Sequence, residues 1–101
     1  MIKKVNENEY KEIIKNNYTL VDFYADWCGP CKMMGRVIEE LSSEIDYINF
    51  IKINVDEESK LASELGIVSI PTIMIFKNGM LIKKVVGFTS KEELKQYIES
   101  V

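Results

Sequence analysis

The chain has only two thiols, and they stand together in the run Asp26-Trp27-Cys28-Gly29-Pro30-Cys31-Lys32. Two cysteines at this spacing can close into a disulfide and reopen, which makes them a two-electron carrier. Their setting favours that use. A nearly continuous apolar run, Tyr18 to Ala25, ends just before them, and a helical pattern begins just after. The pair therefore falls on the first turn of a helix, where unpaired N–H groups and the positive end of the dipole stabilise a thiolate. A free cysteine ionises near about 8.5, and one in such a setting at roughly 3.5–7.5. Each unit of lowering is worth about 1.4 kcal/mol in favour of the anion. Cys28, the more N-terminal and by expectation the more exposed, is the expected nucleophile. Cys31, one turn in, is placed to attack the mixed disulfide and release the product. Pro30 has a fixed φ and no N–H to lose, which suits a first turn. Gly29 lets another chain approach.

Three other readings of the pair are weaker. A structural bridge closing so small a loop removes little entropy from the unfolded chain. Zinc needs four ligands, and the chain has no histidine and no second cysteine pair. Two inert cysteines are the third reading, and Trp27 with Gly29-Pro30 around them argues against it.

Asp22 is the second residue of chemical interest, because it interrupts the apolar run Leu20 to Ala25. A charged, unpaired carboxylate there costs several kcal/mol, and burial raises its pKa toward neutrality. It is either a buried proton acceptor for Cys31, acting directly or through a water, or an aspartate that faces solvent or is satisfied by backbone N–H groups.

The elements that must position these groups follow from periodicity. Ile2 to Val5 is a short strand candidate. Asn6 and Glu9 form a capping-box pattern that opens a helix through about Lys15. Tyr18 to Ala25 reads as a strand buried on both faces. Met34, Ile38, Leu41 and Ile45 recur at helical spacing after the cysteines. Tyr47 to Val55 is the next strand, and Glu58 to Gly66 a short helix with the glycine as its stop. Two apolar runs, Thr72 to Phe76 and Met80 to Val86, flank Lys77-Asn78-Gly79, a hairpin signal. Ser90 and Glu93 form a second capping-box pattern, followed by Leu94, Tyr97, Ile98 and Val101 on one face. The order is β-α-β-α-β-α-β-β-α. Strands joined through helices lie parallel, and the hairpin is expected to add antiparallel edge strands. The fold class is α/β, with a mixed central β-sheet flanked by helices on both faces.

The 101 residues, 47% hydrophobic and 29% charged, suit one globular domain, 1–101. A net charge of −3 argues against nucleic acid and anionic membranes as partners. No apolar run approaches the roughly eighteen residues of a membrane span. The first ten residues lack the apolar core of a signal peptide. A cytoplasmic location, where close cysteine pairs are more often catalytic than structural, is therefore expected. No surplus apolar stripe is seen, and a monomer is expected.

Trp-Cys-Gly-Pro-Cys-Lys after Leu-Val-Asp-Phe-Tyr-Ala-Asp resembles the active-site segment of the thioredoxin family. The stretches IKINVD, GIVSIPTIMIFKNG and VGFTSKEEL follow in that family's order, so the resemblance covers essentially the whole chain. It implies the thioredoxin fold and a redox-active Cys28–Cys31 disulfide that reduces disulfides in target proteins, with no bound cofactor and no metal. It also implies regeneration by a thioredoxin reductase, flavin-containing or ferredoxin-linked. Asp22 then occupies the position of the family's buried aspartate. Lys52 matches the lysine that tunes it, although an ordinary strand lysine extending to solvent would look the same. Pro71 matches a cis-proline beside the dithiol, which would leave the Ile70 backbone free to pair with an extended substrate segment. Trp27, Gly29, Pro30, Ile70, Val86, Gly87 and Phe88 are expected around Cys28, some as contact surface and some as core.

Two positions depart from the family pattern. Arg36, after Gly35, stands where many members have a helix-kinking proline. Tyr24 stands where many have tryptophan. The Gly-Pro between the cysteines resembles reducing members, whereas oxidases and isomerases more often carry a histidine there. A non-catalytic binding module and a disulfide oxidase or isomerase are the competing functions.

Overall fold

The computed structural model describes residues 2–100. Its elements are β1 (Lys3–Lys4), α1 (Glu7–Lys15), β2 (Tyr18–Tyr24), α2 (Gly29–Glu44), β3 (Asn49–Asn54), α3 (Ser59–Glu64), β4 (Thr72–Lys77), β5 (Met80–Val86) and α4 (Lys91–Glu99). They come in the order the periodicity predicts. Val101 lies outside the described residues.

The five strands form one sheet in the order β1-β3-β2-β4-β5. β1, β3 and β2 run parallel, and β4 and β5 are antiparallel to their neighbours. The hairpin does not supply two edge strands as expected. β4 pairs with β2 on one side and β5 on the other, so only β5 is an edge. Composition explains the difference. β4 is apolar on both faces and buried over its first five residues, whereas β5 carries Lys83 and Lys84 and is largely exposed. Charged edge strands resist pairing with other chains.

Side-chain alternation then divides the core. Leu20 on β2, Phe50 on β3 and Ile73 and Ile75 on β4 face one way, against Met34, Ile38 and Leu41 of α2 and Leu94 and Ile98 of α4. Tyr97 packs against this group half-buried. Val21, Phe23, Ile51, Ile53, Met74 and Phe76 face the other way, with Tyr10 of α1 and Leu61 of α3.

Local signals fix the ends of the elements. Asn6 and Glu9 exchange both bonds of the capping box, at 2.9 and 3.1 Å. At α4 the Ser90 hydroxyl accepts from the Glu93 N–H at 3.1 Å. Past α3, Gly66 N donates to Ser63 O (3.1 Å) and Ile67 N to Ala62 O (2.9 Å), the two bonds of a Schellman stop. Asn78 and Gly79 have φ of 51° and 85°, the paired left-handed residues of a type I′ hairpin turn. Among the described residues no helix is long and apolar enough to cross a membrane.

α2 runs unbroken for 16 residues through Gly35 and Arg36. A Cβ at Gly35 would meet nothing within 4 Å outside the helix. Gly35→Ala is therefore expected to stabilise the protein by about 1 kcal/mol, or ~4–8 °C in Tm. Thermal unfolding of the variant checks this, and an unchanged or lower Tm would mean that α2 needs the glycine's freedom.

Candidate functional site

β2 leaves the sheet at Tyr24, and Ala25 and Asp26 turn the chain so that α2 begins at Gly29. Cys28 is the N-cap of α2, with extended φ and ψ, and Pro30 sits in the first turn. The Cys28 sulfur accepts the Cys31 N–H at 3.2 Å. A sulfur is thus doing what a serine or aspartate oxygen usually does at a helix start. Negative charge on Cys28 is favoured by that N–H and by the dipole of a 16-residue helix. Cys28 and Cys31 are joined in a disulfide, with Cα atoms 5.2 Å apart.

The two cysteines differ less in exposure than expected. Both are buried, at 5% and 4%. Ala25, Tyr24, Val55 and Ile70 pack around them. What separates them is direction. The Cys28 sulfur lies 3.9 Å from the Ile70 carbonyl oxygen, at the surface loop before β4. Cys31 lines a cavity of about 570 Å³ on the other side, shared with Asp22, Tyr24, Gly35, Arg36 and Lys52.

Asp22 is buried, at 2% exposure, and its Oδ1 has no hydrogen-bond partner. The solvent-facing and backbone-satisfied alternatives are thereby removed for this atom. Burial pushes the carboxyl up to about 7, and the Lys52 charge pulls it back. Lys52 stands beside Asp22 in the β2–β3 register. Its Nζ lies over the Tyr24 ring, 5.4 Å from the centroid. Lys52 is half-buried, so it is neither a free surface lysine nor a fully enclosed one.

The Ile70–Pro71 bond is cis, as the resemblance implies. Pro71 is buried, and its carbonyl accepts the Gly87 N–H at 2.8 Å. Gly87 has φ +88°, a conformation that side chains resist, so a glycine is required where the chain turns back against Pro71. Val86 and Phe88, on either side, are 57% and 47% exposed and belong to the surface, not the core. With Trp27, 72% exposed, and Val68 they place apolar surface on the segments that flank the disulfide.

Sequence reasoning missed one partner. The Trp27 Nε1 donates to the Asp56 carboxylate at 2.9 Å. Asp56 follows β3, where Asn54 Oδ1 accepts from the Asp56 and Glu57 N–H groups at 2.9 and 3.3 Å. No spacing rule links residues 27 and 56. Only the Asn54 turn, an Asx pattern, was open to notice. Among the described residues no group of three or more His, Cys, Asp or Glu could hold a metal ion.

A redox-active dithiol at a helix N-terminus, on a four-helix, five-strand mixed sheet, defines a thiol–disulfide oxidoreductase. The Thioredoxin family model matches residues 1–100. The thioredoxin of Staphylococcus saprophyticus is 44% identical over 99 residues, which are 97% of this chain and 95% of that one. The thioredoxin of Chlamydia muridarum is 37% identical over 98 residues, covering 97% and 96%. Among solved structures, oxidised mitochondrial thioredoxin 3 of Saccharomyces cerevisiae superposes with TM-score 0.90 at 36% identity, over 99% of this chain and 95% of that one. Malassezia sympodialis thioredoxin gives TM-score 0.90 at 36% identity, over 99% and 90%. The chain belongs to the thioredoxin family, and disulfide reduction is its activity.

The state of Asp22 has a consequence for stability. The folded protein holds this proton up to about pH 7, whereas the ordinary value for an aspartate is 3.8. The folded state therefore binds more protons between these limits. Its advantage from Asp22 is complete below about pH 4 and is lost as pH rises through about 7. Asp22→Asn is expected to remove that loss and to be more stable than the parent at pH 8, by on the order of 4 kcal/mol. Urea unfolding of both oxidised proteins at pH 4 and pH 8 checks it. Equal differences at the two pH values would mean that Asp22 is ionised in the fold.

Proposed function

We propose that the protein is a cytoplasmic disulfide reductant, acting as a monomer, in which each site residue has a defined task. The carrying observation is that Cys28 caps α2 through its sulfur while Cys31 shares a cavity with the buried, unpartnered Asp22. The whole arrangement lies within one chain. The bacterial thioredoxins among its relatives support the cytoplasmic assignment.

In the reduced protein the Cys28 thiolate attacks one sulfur of a target disulfide. A Cys28–target bond forms, the target S–S bond breaks, and one target thiolate leaves. The Cys31 thiol passes its proton to Asp22, directly or through a water. A carboxyl near 7 is matched to that transfer at neutral pH. The Cys31 thiolate then attacks the Cys28 sulfur, and the second target thiolate leaves. The target gains two electrons, and Cys28 and Cys31 lose them in forming their disulfide. A thioredoxin reductase returns the two electrons. Lys52, opposing the effect of burial on Asp22, sets how readily the proton is released again.

Targets are proteins presenting a disulfide in an extended segment. The Ile70 backbone, 3.9 Å from the Cys28 sulfur at its carbonyl, is the expected pairing edge. Trp27, Gly29, Pro30, Pro71 and Gly87 shape the rim, with Val86 and Phe88 as apolar contact.

Cys31→Ser is expected to accumulate a covalent Cys28–target disulfide, and Cys28→Ser none. Mass spectrometry after incubation with a disulfide-containing protein separates them. Trapping through Cys31 instead would reverse the assigned roles. The Cys28–Cys31 potential, read by Trp27 fluorescence in thiol buffers, is expected near about −270 mV, the reference value for thioredoxins; a value near −120 mV would mark an oxidant.

A further inference from the structure

The tuning of Asp22 by Lys52 needs the ammonium to stay near it, and nothing in the pairing of β2 with β3 ensures that. A lysine carries its charge on four methylenes, and a half-buried one extends to water unless something holds it. The two residues are aligned in the backbone, yet Asp22 Oδ1 remains without a hydrogen-bond partner. The group in contact with the Lys52 ammonium is the ring of Tyr24, 5.4 Å from Nζ to centroid. That distance lies inside the range of a cation–π attraction.

The geometry of the sheet puts this contact where it matters. Asp22 and Tyr24 are two apart on β2 and so share a face. Lys52 pairs with Asp22 across a parallel ladder and presents its side chain on that same face. All three line the cavity that reaches Cys31. We propose that Tyr24 is a positioning residue, whose ring face holds the Lys52 ammonium at the cavity wall beside Asp22 instead of letting it extend to solvent.

Tyr24 is itself held. It ends β2, opposite Asn54 of β3. The Asn54 oxygen is taken by the Asp56 and Glu57 N–H groups, which leaves its amide for the Tyr24 hydroxyl. Lys4 on β1, the other cation near the ring, is bound to Glu57 at 2.9 Å and does not compete for the ring face. Other charges face Asp22 across the cavity. Lys32, Arg36, Glu39 and Glu40 come from α2, and Asp26 from the turn before it. Two of these cations and three of these carboxylates could draw Lys52 or Asp22 elsewhere, so a local hold on the ammonium has something to oppose. β4 brings only Ile73 beside Asp22.

The inference rests on the reading of Asp22 as the proton acceptor, and it makes a claim of opposite sign to the simple one. Removing a large ring lets water toward Asp22, which would lower its titration midpoint. Releasing Lys52 raises the midpoint, because the ionised form loses a neighbouring cation. The Asp22 carboxyl carbon is followed by NMR against pH in the full oxidised chain. Tyr24→Leu is expected to raise the midpoint by roughly half a pH unit, the equivalent of one exposed cation–π contact. Tyr24→Phe keeps the ring face and is expected to leave it unchanged. In a Lys52→Met background, Tyr24→Leu is expected to cause no rise. A fall or no change in Tyr24→Leu overturns the proposal, and so does an equal rise without Lys52. Tyr24→Met, whose unbranched, flexible side chain fills irregular space better than leucine and has no ring face, replaces Tyr24→Leu if that variant fails to fold. The parent reading fails separately: an Asp22→Asn protein that resolves mixed disulfides at the parental rate at pH 7 removes the proton-acceptor role, whatever the titrations give.

Discussion

β2 is hydrogen-bonded on both edges and covered on both faces, and it carries a carboxyl in its middle and delivers a thiol at its end. A strand in that position cannot shift by one residue without turning Leu20 and Phe23 to the wrong layers. Asp22 is therefore held on the α2 side of the sheet, and the chain leaves at a defined point to start α2 with Cys28 as its cap. The rigidity of the strand sets the relation between the Cys28 sulfur, the helix dipole and the Asp22 carboxyl. A carboxyl there is costly if ionised. The fold accommodates it by raising its pKa to about 7, so that at neutral pH a share of it is ionised and able to take a proton from a thiol.

The site answers two conflicting demands. In the proposed mechanism one sulfur must meet a partner at the surface, and the other must reach a group in the interior. A spacing of three on a helix brings the two sulfurs into bonding reach on one face, while their further surroundings differ. The disulfide sits at the boundary, with the Ile70 carbonyl on one side and the Asp22 cavity on the other. Around it the rim is tied by hydrogen bonds between segments distant in sequence. Trp27 holds Asp56, and Pro71 holds Gly87. Loops fixed in this way can present apolar side chains to a partner without losing their shape.

Much of this was legible in the sequence because it depends on local physics. The element order follows from periodicity. Both helix caps were visible as residue pairs three apart, and the hairpin as Asn78-Gly79. The cysteines announced themselves by spacing and by their place after an apolar run. Asp22 stood out as a carboxylate among strand-formers. The expected edge position of β4 was wrong: its apolar composition on both faces was a local sign of a central strand, but its pairing with β2, some fifty residues earlier, was not written locally. Cys28 exceeds Cys31 in exposure by far less than expected, 5% against 4%, since part of its cover comes from Ile70, forty-two residues on.

What the sequence by itself determined is the chemistry: two thiols at a helix start, a buried acid, an α/β sheet to hold them. Resemblance to a family added the cis bond at Pro71, for which the local residues argued nothing. The tertiary structure alone decided the neighbours. It placed Lys52 beside Asp22 through strand pairing, set the Tyr24 ring under the ammonium, joined Trp27 to Asp56, and turned Val86 and Phe88 outward. Periodicity says which way a side chain points from its own strand. It does not say which strand lies alongside, and contact energies at the site belong to those pairings.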